Sequence, residues 1–129
     1  MSAENHRVAV LGASPKPERY ANKAIRLLKD HRYQVIPIHP RYTEIEGLPV
    51  AKSLGEIAHP IHTLTVYVGP ERSRLLAEEI VAFKPERVIL NPGAESEYLE
   101  KILAEARIPV IKGCTLVMLQ TGQFDSMVK

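Results

Sequence analysis

Residues 8–20, VAVLGASPKPERY, pass from an apolar run into a loop of small, proline and positively charged residues. The opening VAVL has the uninterrupted, β-branched pattern of a strand buried on both faces of a parallel sheet. The loop that follows has none of the large apolar residues that a core requires. A polar and positive loop between such a strand and a helix is typical of a site for an anionic ligand.

Four further apolar runs repeat the pattern of this first strand, and each closes at Gly or Pro. They span residues 34–40, 63–69, 87–93 and 108–113. The segments between these runs have helical periodicity. In the first of them, the apolar residues at helical spacing are Ala21, Ala24, Ile25 and Leu28. Alternating strands and helices of this kind predict an α/β, Rossmann-like, doubly wound parallel sheet of about five strands with helices on both faces.

Two other helices and two less regular segments complete the predicted organisation. A helix is expected from Pro70 to Phe83, because Pro suits the first helical position and Pro85 follows its end. Leu99 to Ala106 has helical spacing as well. Residues 41–62 predict an irregular crossover with one short helix near 53–57. Residues 114–120, CTLVMLQ, predict a buried final helix or a self-association surface that ends at Gly122.

Length and composition limit the class of protein. The chain has 129 residues, of which 45% are hydrophobic, so it can bury one core, and we expect a single domain over residues 1–129. With 17 basic and 15 acidic residues, the charge is too balanced for a nucleic-acid-binding face. No apolar run is long enough for a membrane span, and the first residues do not resemble a signal peptide. We therefore expect a soluble cytoplasmic protein with no nucleic-acid or membrane partner.

The cysteine and histidine content argues against covalent or metal cross-links. Cys114 is the one cysteine in the sequence, which excludes an intrachain disulfide and suits a reducing compartment. The five histidines lack the short spacing of metal ligands, so no metal site is predicted.

The residues that end the strands are the candidates for a ligand site, because a doubly wound sheet binds ligands beyond the carboxyl ends of its strands. In the first loop, the lack of bulk at Gly12, Ala13 and Ser14 allows a phosphate to approach their backbone N–H groups. Lys16 and Arg19 add positive charge there. The alternative is that Gly12 serves only a tight turn and that the two cations are solvated surface residues.

The end of the second strand distinguishes among nucleotides. A site for NAD has an acidic residue here to accept hydrogen bonds from the ribose, whereas this chain has His39, Pro40, Arg41 and Tyr42. A positive residue suits a ribose that carries its own phosphate, as in NADP or coenzyme A. Tyr42 is placed either to stack on adenine or to pack beneath its loop. His39 is interpreted first as a neutral histidine hydrogen-bonded at a strand end, and otherwise as part of this ligand site.

These segments resemble a known family. The runs VAVLGASPKPER, QVIPIHPRY, EIEGLPVAKSLGEI, NPGAE and GCTLVML together look like the small CoA-binding proteins, which are stand-alone relatives of the CoA-binding domain in the succinyl-CoA synthetase alpha subunit. The likeness extends from about Arg7 to Phe124. It implies a Rossmann-like fold that holds the ADP half of coenzyme A, or of an acyl-CoA, at the strand ends.

The resemblance also implies which residues contact the ligand. The phosphate-facing loop corresponds to Gly12, Ala13, Ser14 and Lys16, with Arg19 at the start of the helix. The border of the ribose 3′-phosphate corresponds to Pro40, Arg41 and Tyr42. The wall along the nucleotide corresponds to Val68, Gly69, Pro70, Arg72 and Ser73, and the far side to Asn91 and Pro92. His39 departs from the family, where many relatives carry Asn before the Pro.

Catalysis is not predicted. Succinyl-CoA synthetase uses a phosphorylated histidine in a second domain, which residues 1–129 do not contain, and Ser14 has no recognisable partner base. We therefore assign no catalytic residues. Cys114, at the start of the last helix, is interpreted either as a thiol able to form a mixed disulfide with CoA or as a small buried apolar residue.

Two other functions are compatible with the same sequence. One is a small NADP-dependent oxidoreductase, because a ribose 2′-phosphate could use the same positive edge. The other is a regulatory or interaction subunit of an acyl-CoA enzyme, in which the apolar C-terminal helix pairs with itself, as in a homodimer, or with a larger partner.

Overall fold

The computed structural model of the protein describes residues 6–126. The strands are β1 (Arg7–Leu11), β2 (Gln34–Ile38), β3 (Glu44–Ile45), β4 (Leu48–Pro49), β5 (Thr63–Val66), β6 (Arg87–Leu90) and β7 (Val110–Lys112). The α-helices are α1 (Tyr20–Asp30), α2 (Pro70–Phe83), α3 (Glu97–Glu105), α4 (Thr115–Gln120) and α5 (Gln123–Ser126), and Leu54–Glu56 forms a 3₁₀ turn.

The main sheet confirms the predicted Rossmann-like, doubly wound architecture. Its five parallel strands have the order β2-β1-β5-β6-β7. The chain moves outward in one direction from β1 to β2 and then returns to β5 on the other side of β1. The β1/β5 junction is therefore the point at which the strand order reverses, and the crevice above it is where such folds bind ligands.

The alternation of side chains along β1 explains why both sheet faces are covered. Ala9 and Leu11 contribute to the apolar layer beneath α2 and α3, whereas Val8 and Val10 contribute to the layer beneath α1, α4 and α5. All four side chains are buried. This is the arrangement expected of short strands without polar alternation.

Local signals determine where two of the helices begin and end. Pro70 occupies the first turn of α2, and Lys84 adopts a left-handed conformation directly after the helix. The Ser96 side chain caps α3 by accepting a hydrogen bond from the Leu99 N–H at 3.1 Å. The predicted boundaries of the helix over residues 70–83 are thus confirmed, and the 3₁₀ turn falls within the predicted 53–57 segment.

Two elements were not predicted. Residues 44–49 form a small antiparallel hairpin, β3–β4, whose turn residues Glu46 and Gly47 both have positive φ. The short helix α5 follows Gly122. None of the helices among residues 6–126 combines the length and the apolar composition required to cross a membrane.

Helix α4 forms where residues 114–120 predicted a helix. Its apolar residues Met118 and Leu119 are buried within the chain, in the same layer as α1, and Val117 remains 50% exposed. Two of the four large apolar side chains that suggested self-association are therefore used by the chain's own core, whereas Leu116 and Val117 keep accessible surface.

Candidate functional site

A cavity of about 1010 Å³ opens at the carboxyl ends of the strands, at the point where the strand order reverses. Four strand-ending loops and the start of α4 contribute to its wall. The lining residues are Gly12, Ala13, Ser14, Lys16, Arg19, Tyr20, Ala21, His39, Tyr42, Tyr67, Val68, Gly69, Arg72, Asn91, Pro92, Cys114, Leu116 and Val117. This set contains three permanent cations and no carboxylate. The wall is thus suited to an anion.

Most of the residues assigned to the site from the sequence line this cavity, and four do not. Arg41 is exposed beside it, and Pro40 precedes Arg41 in the same loop. Pro70 starts α2 outside the lining set, and the Ser73 side chain is buried, with its hydroxyl donating to the Pro70 carbonyl at 3.2 Å. Ser73 therefore stabilises the first turn of α2 and does not face the cavity, contrary to the sequence-based expectation.

Gly12 is required at the floor of the cavity for two geometric reasons. Its φ is +88°, a conformation that favours glycine, and a Cβ built on it would lie 2.8 Å from Cγ1 of Val68. The ends of β1 and β5 consequently approach each other more closely than any other residue at position 12 would allow.

The backbone N–H groups of the first loop are used differently from the prediction. Gly12 and Ala13 both donate to the Ile38 carbonyl, at 3.3 and 3.2 Å, so neither is available to a phosphate. The hydroxyl of Ser14 accepts a hydrogen bond from the Lys16 N–H at 3.1 Å and so shapes the loop. The small residues of this loop therefore provide room for a ligand more than they provide hydrogen-bond donors to it.

The start of α1 supplies the donors instead. Arg19, the residue before the helix, makes no side-chain cap, and no acidic residue lies in the first turn. The first N–H groups of a helix have no intrahelical partner, and they carry the positive end of the helix dipole. Tyr20 and Ala21, the first residues of α1, line the cavity. An anion there would meet both these N–H groups and the side chains of Lys16 and Arg19.

Asn22 holds this loop in place and was missed by the sequence analysis. Its side chain is fully buried, and its amide donates to the Ser14 carbonyl at 2.9 Å and to a Glu46 carboxylate oxygen at 3.1 Å. Its amide oxygen accepts from Arg26 Nε at 2.8 Å. The one available signal was a polar residue on the apolar face of a predicted amphipathic helix.

Asn91 lines the cavity, but its side chain is already hydrogen-bonded to other protein atoms. The amide group donates to the Thr65 hydroxyl at 2.7 Å and to the Val66 carbonyl at 2.9 Å. The amide oxygen accepts from the Thr115 N–H at 2.9 Å. Asn91 therefore anchors the start of α4 above the sheet, and both N–H donors of its amide are already used by protein atoms.

His39 lies in the cavity wall at the end of β2. Its Nδ1 accepts a hydrogen bond from the Arg41 N–H at 3.1 Å, and its ring lies against the Tyr42 ring with centroids 4.5 Å apart. Burial lowers the pKa of His39, and the positive charges of Arg72 and Arg41 lower it further. Burial and the two neighbouring cations thus disfavour the protonated form of this imidazole.

The opposite part of the cavity is uncharged. It is formed by Tyr67, Cys114, Leu116 and Val117. Burial raises the pKa of Tyr67, and the neighbouring Thr115 and Thr65 hydroxyls partly offset this rise. The Tyr67 hydroxyl is shielded from solvent. Cys114 is a free, half-buried thiol at the start of α4. No group of His, Cys, Asp or Glu in the described part of the chain is arranged to hold a metal ion.

Two known proteins are similar to this chain over most of its length. The chain is 30% identical over 112 residues to the uncharacterized protein YneT of Bacillus subtilis, covering 87% of this chain and 78% of that protein. A solved Thermus thermophilus protein is 33% identical, with a TM-score of 0.86 over 90% of this chain and 89% of that one.

A more distant structure shares the fold alone. It is a dinucleotide forming acetyl-coenzyme A synthetase from Ca. Korarchaeum cryptofilum, solved with phosphate and ADP. It is 17% identical, with a TM-score of 0.72 over 86% of this chain and 26% of that one. The family described as "CoA binding domain" matches residues 6–120. The match spans every strand of the sheet and every loop that lines the cavity, and the chain therefore belongs to the CoA-binding domain family.

Proposed function

We propose that the protein binds coenzyme A or an acyl-CoA through its phosphorylated ADP half in the cavity above β1 and β5, and that it does so without catalysis. The observation that carries the proposal is the convergence of Lys16, Arg19 and Arg72 on one cavity that lacks any carboxylate. CoA carries a pyrophosphate and a ribose 3′-phosphate, so its binding requires several cations within the span of one nucleotide.

The two ends of the charged wall are assigned to the two phosphate groups. The start of α1, with Lys16 and Arg19, would receive the pyrophosphate, because free N–H groups and cations coincide there. Arg72, with Arg41 beside the cavity, would receive the 3′-phosphate at the end of β2. Charge-assisted bonds to phosphate are among the stronger hydrogen bonds in proteins.

The uncharged wall suits the remaining parts of the ligand. Leu116 and Val117 offer an apolar surface, and Val117 is half-exposed despite its apolar side chain. Tyr42 presents an aromatic ring beside His39. We assign the adenine to the Tyr42 side and the pantetheine arm to α4, where the thiol of Cys114 also lies.

The absence of catalysis is proposed from the chemistry of the lining residues. The Ser14 hydroxyl accepts from a backbone N–H, and within residues 6–126 no histidine or carboxylate is hydrogen-bonded to it. Nucleophilic catalysis by serine requires such a base. Burial raises the pKa of Tyr67, which disfavours its phenolate as a nucleophile.

Calorimetric titration with CoA, dephospho-CoA and NADPH at about pH 8 tests the proposal. We expect CoA to bind at least about tenfold more tightly than dephospho-CoA, because one charge-assisted contact is worth roughly 1.5–3 kcal/mol. Equal affinity for CoA and dephospho-CoA would overturn the assignment of the 3′-phosphate. No binding of CoA would overturn the proposed function, and tighter binding of NADPH than of CoA would favour an oxidoreductase.

A further inference from the structure

His39 has a defined tautomer and a defined orientation. The Arg41 N–H donates to Nδ1 at 3.1 Å, so Nδ1 carries the lone pair and the neutral ring bears its proton on Nε2. The His39 backbone N–H is bonded to the Ala51 carbonyl at 3.0 Å, which fixes the position of the residue against the crossover segment. The Tyr42 ring packs against the imidazole at an interplanar angle of 49°.

Nε2 is the ring atom left for a ligand. Within the described residues it makes no hydrogen bond, and His39 lies in the cavity wall. A neutral imidazole presents one N–H donor at this atom. A protonated imidazole presents the same donor with a positive charge, but its second proton occupies Nδ1, so the Arg41 N–H must exchange its bond to Nδ1 for another acceptor, such as a phosphate oxygen. A phosphate oxygen would accept from either form, but more strongly from the charged one.

The charges around His39 are all positive in the absence of ligand. Arg72 acts on the ring from α2 and Arg41 from the loop that follows β2. The crossover segment contributes the neutral Ala51 carbonyl, and Tyr42 contributes an aromatic face. Burial and the two guanidinium groups together hold the pKa of His39 below its ordinary value. A doubly charged phosphate placed between these cations would reverse the electrostatic part of that shift.

We propose that the Nε2–H of His39 binds the ribose 3′-phosphate of CoA, and that the ring takes up a second proton at Nδ1 when this phosphate binds, in exchange for its hydrogen bond from the Arg41 N–H, so that affinity for the phosphorylated ligand rises as the pH falls. The inference rests on the proposed function, because it requires the 3′-phosphate to lie beside Arg72 and Arg41.

The direction of the pH dependence follows from linkage. The free protein has the lower His39 pKa and the complex has the higher one, so the complex binds more protons between the two values. Affinity is therefore independent of His39 protonation above the pKa in the complex. It increases as the pH falls through that pKa and becomes constant below the pKa in the free protein.

The matched variant is His39→Asn. The Asn side-chain oxygen can accept the Arg41 N–H as Nδ1 does, since Asn commonly bonds to the backbone two residues ahead. The variant therefore keeps the loop and removes the titrating group. Comparison with this variant also corrects for the titration of the 3′-phosphate, whose second pKa is near 6. The phosphate releases protons on binding to the wild type and to the variant alike.

The experiment is calorimetric titration with CoA at about pH 6 and about pH 8, in several buffers of different ionisation enthalpy. We expect the wild type to take up more protons than His39→Asn at the lower pH and equally many at the higher. The affinity gain between the two pH values should be about tenfold larger in the wild type, the change expected for a shift of one pKa unit. The excess uptake should disappear with dephospho-CoA.

Nuclear magnetic resonance of the His39 ring nitrogens supplies a readout that does not depend on affinity. A rise in the His39 pKa on addition of CoA, and none with dephospho-CoA, would support the inference. Equal proton uptake by wild type and His39→Asn, or equal excess uptake with dephospho-CoA, would overturn it while leaving CoA binding intact. A protein that bound no CoA at either pH would instead fail the proposed function.

Discussion

The amide oxygen of Asn91 accepts a hydrogen bond from the backbone N–H of Thr115 at 2.9 Å, and this contact joins the end of β6 to the start of α4. The hydroxyl of Thr115 lies 2.7 Å from that of Thr65 on β5, which also accepts from Asn91. Two strands and one helix therefore meet in a buried polar network directly beneath the cavity. Such networks fix one arrangement of the elements because each unmet partner is costly.

Replacement of Asn91 by Ala should lower the free energy of unfolding by about 2–3 kcal/mol, because the buried Thr115 N–H would lose its partner and the Thr65 hydroxyl would lose a donor. Denaturant unfolding measures this change. Gln120→Ala, at an exposed position on α4, is the control and should change stability by less than about 0.5 kcal/mol. A loss for Asn91→Ala as small as that of the control would contradict the anchoring role.

Gly12 and Gly69 face the same cavity but differ in how they tolerate a side chain. Gly12→Ala should destabilise the protein by about 2–4 kcal/mol, since it combines an unfavourable positive φ with a forced contact against Val68. Gly69 has a φ of −71° and no heavy atom within 4 Å of an added Cβ, so Gly69→Ala should lose only the difference between Gly and Ala at the N-cap of α2, about 1 kcal/mol or less. Thermal unfolding of the two variants compares them directly, and similar melting temperatures would show that the approach of β1 to β5 is not limiting.

The sequence predicted the elements whose signals are local. The apolar run of β1 ends at Gly12, and Pro70 and Pro85 flank α2, so these boundaries depend on the residues themselves. The β3–β4 hairpin escaped prediction because its strands of two residues are shorter than any hydrophobic period. Its turn depends on positive φ at Glu46, where glycine or asparagine is the usual residue.

Prediction of the site was limited by hydrogen bonds between distant segments. The prediction that the strand-ending loops meet at one edge of the sheet was correct, because it requires only the order of the strands in a doubly wound fold. That the N–H groups of Gly12 and Ala13 are used by Ile38 depends on how β1 and β2 are aligned, which composition does not reveal. The burial of Asn22 likewise depends on Ser14, eight residues away across a loop of irregular conformation.

Asn22→Ala should weaken CoA binding by about tenfold, because the Ser14 carbonyl loses its donor and the loop before α1 loses its fixed position. Calorimetry on the folded variant gives the affinity, and circular dichroism verifies that the total helix content is unchanged. Asp30→Asn, at the far end of the same helix, changes the net charge without touching the loop and should leave affinity within about twofold. Unchanged affinity in a folded Asn22→Ala protein would remove its positioning role.

Arg72 and Arg74 offer a direct test of whether the cavity, and not the general positive charge of α2, attracts the ligand. Arg72 lines the cavity, whereas the Arg74 guanidinium stacks 4.2 Å from the centre of the Tyr98 ring. Arg72→Ala should lower CoA affinity by about 10- to 100-fold, the range of one charge-assisted phosphate contact. Arg74→Ala removes the same charge and should have an effect below about threefold. Equal losses in both variants would indicate nonspecific attraction.

The buried Tyr33 and the partly buried Tyr67 predict that stability falls at alkaline pH. Burial raises the pKa of Tyr33, and the Asp125 carboxylate that its hydroxyl contacts raises it further. Burial likewise raises the pKa of Tyr67. In the unfolded chain both phenols ionise near about pH 10. Between that value and the higher pKa of the folded state, the folded protein holds protons that the unfolded chain has released.

Ionisation of Tyr33 and Tyr67 therefore destabilises the folded protein relative to the unfolded chain. The stabilisation is fully present below about pH 10 and is lost as the pH rises through the pKa values of the folded state, so the free energy of unfolding should decrease with increasing pH above about 10. Denaturant titrations at a series of pH values measure it, and phenolate absorbance reports ionisation. Tyr33→Phe and Tyr67→Phe should each reduce the slope, whereas Tyr20→Phe, at a side chain 68% exposed, should not. A slope unchanged in both Tyr33→Phe and Tyr67→Phe would show that these phenols ionise as freely in the folded protein as in the unfolded chain.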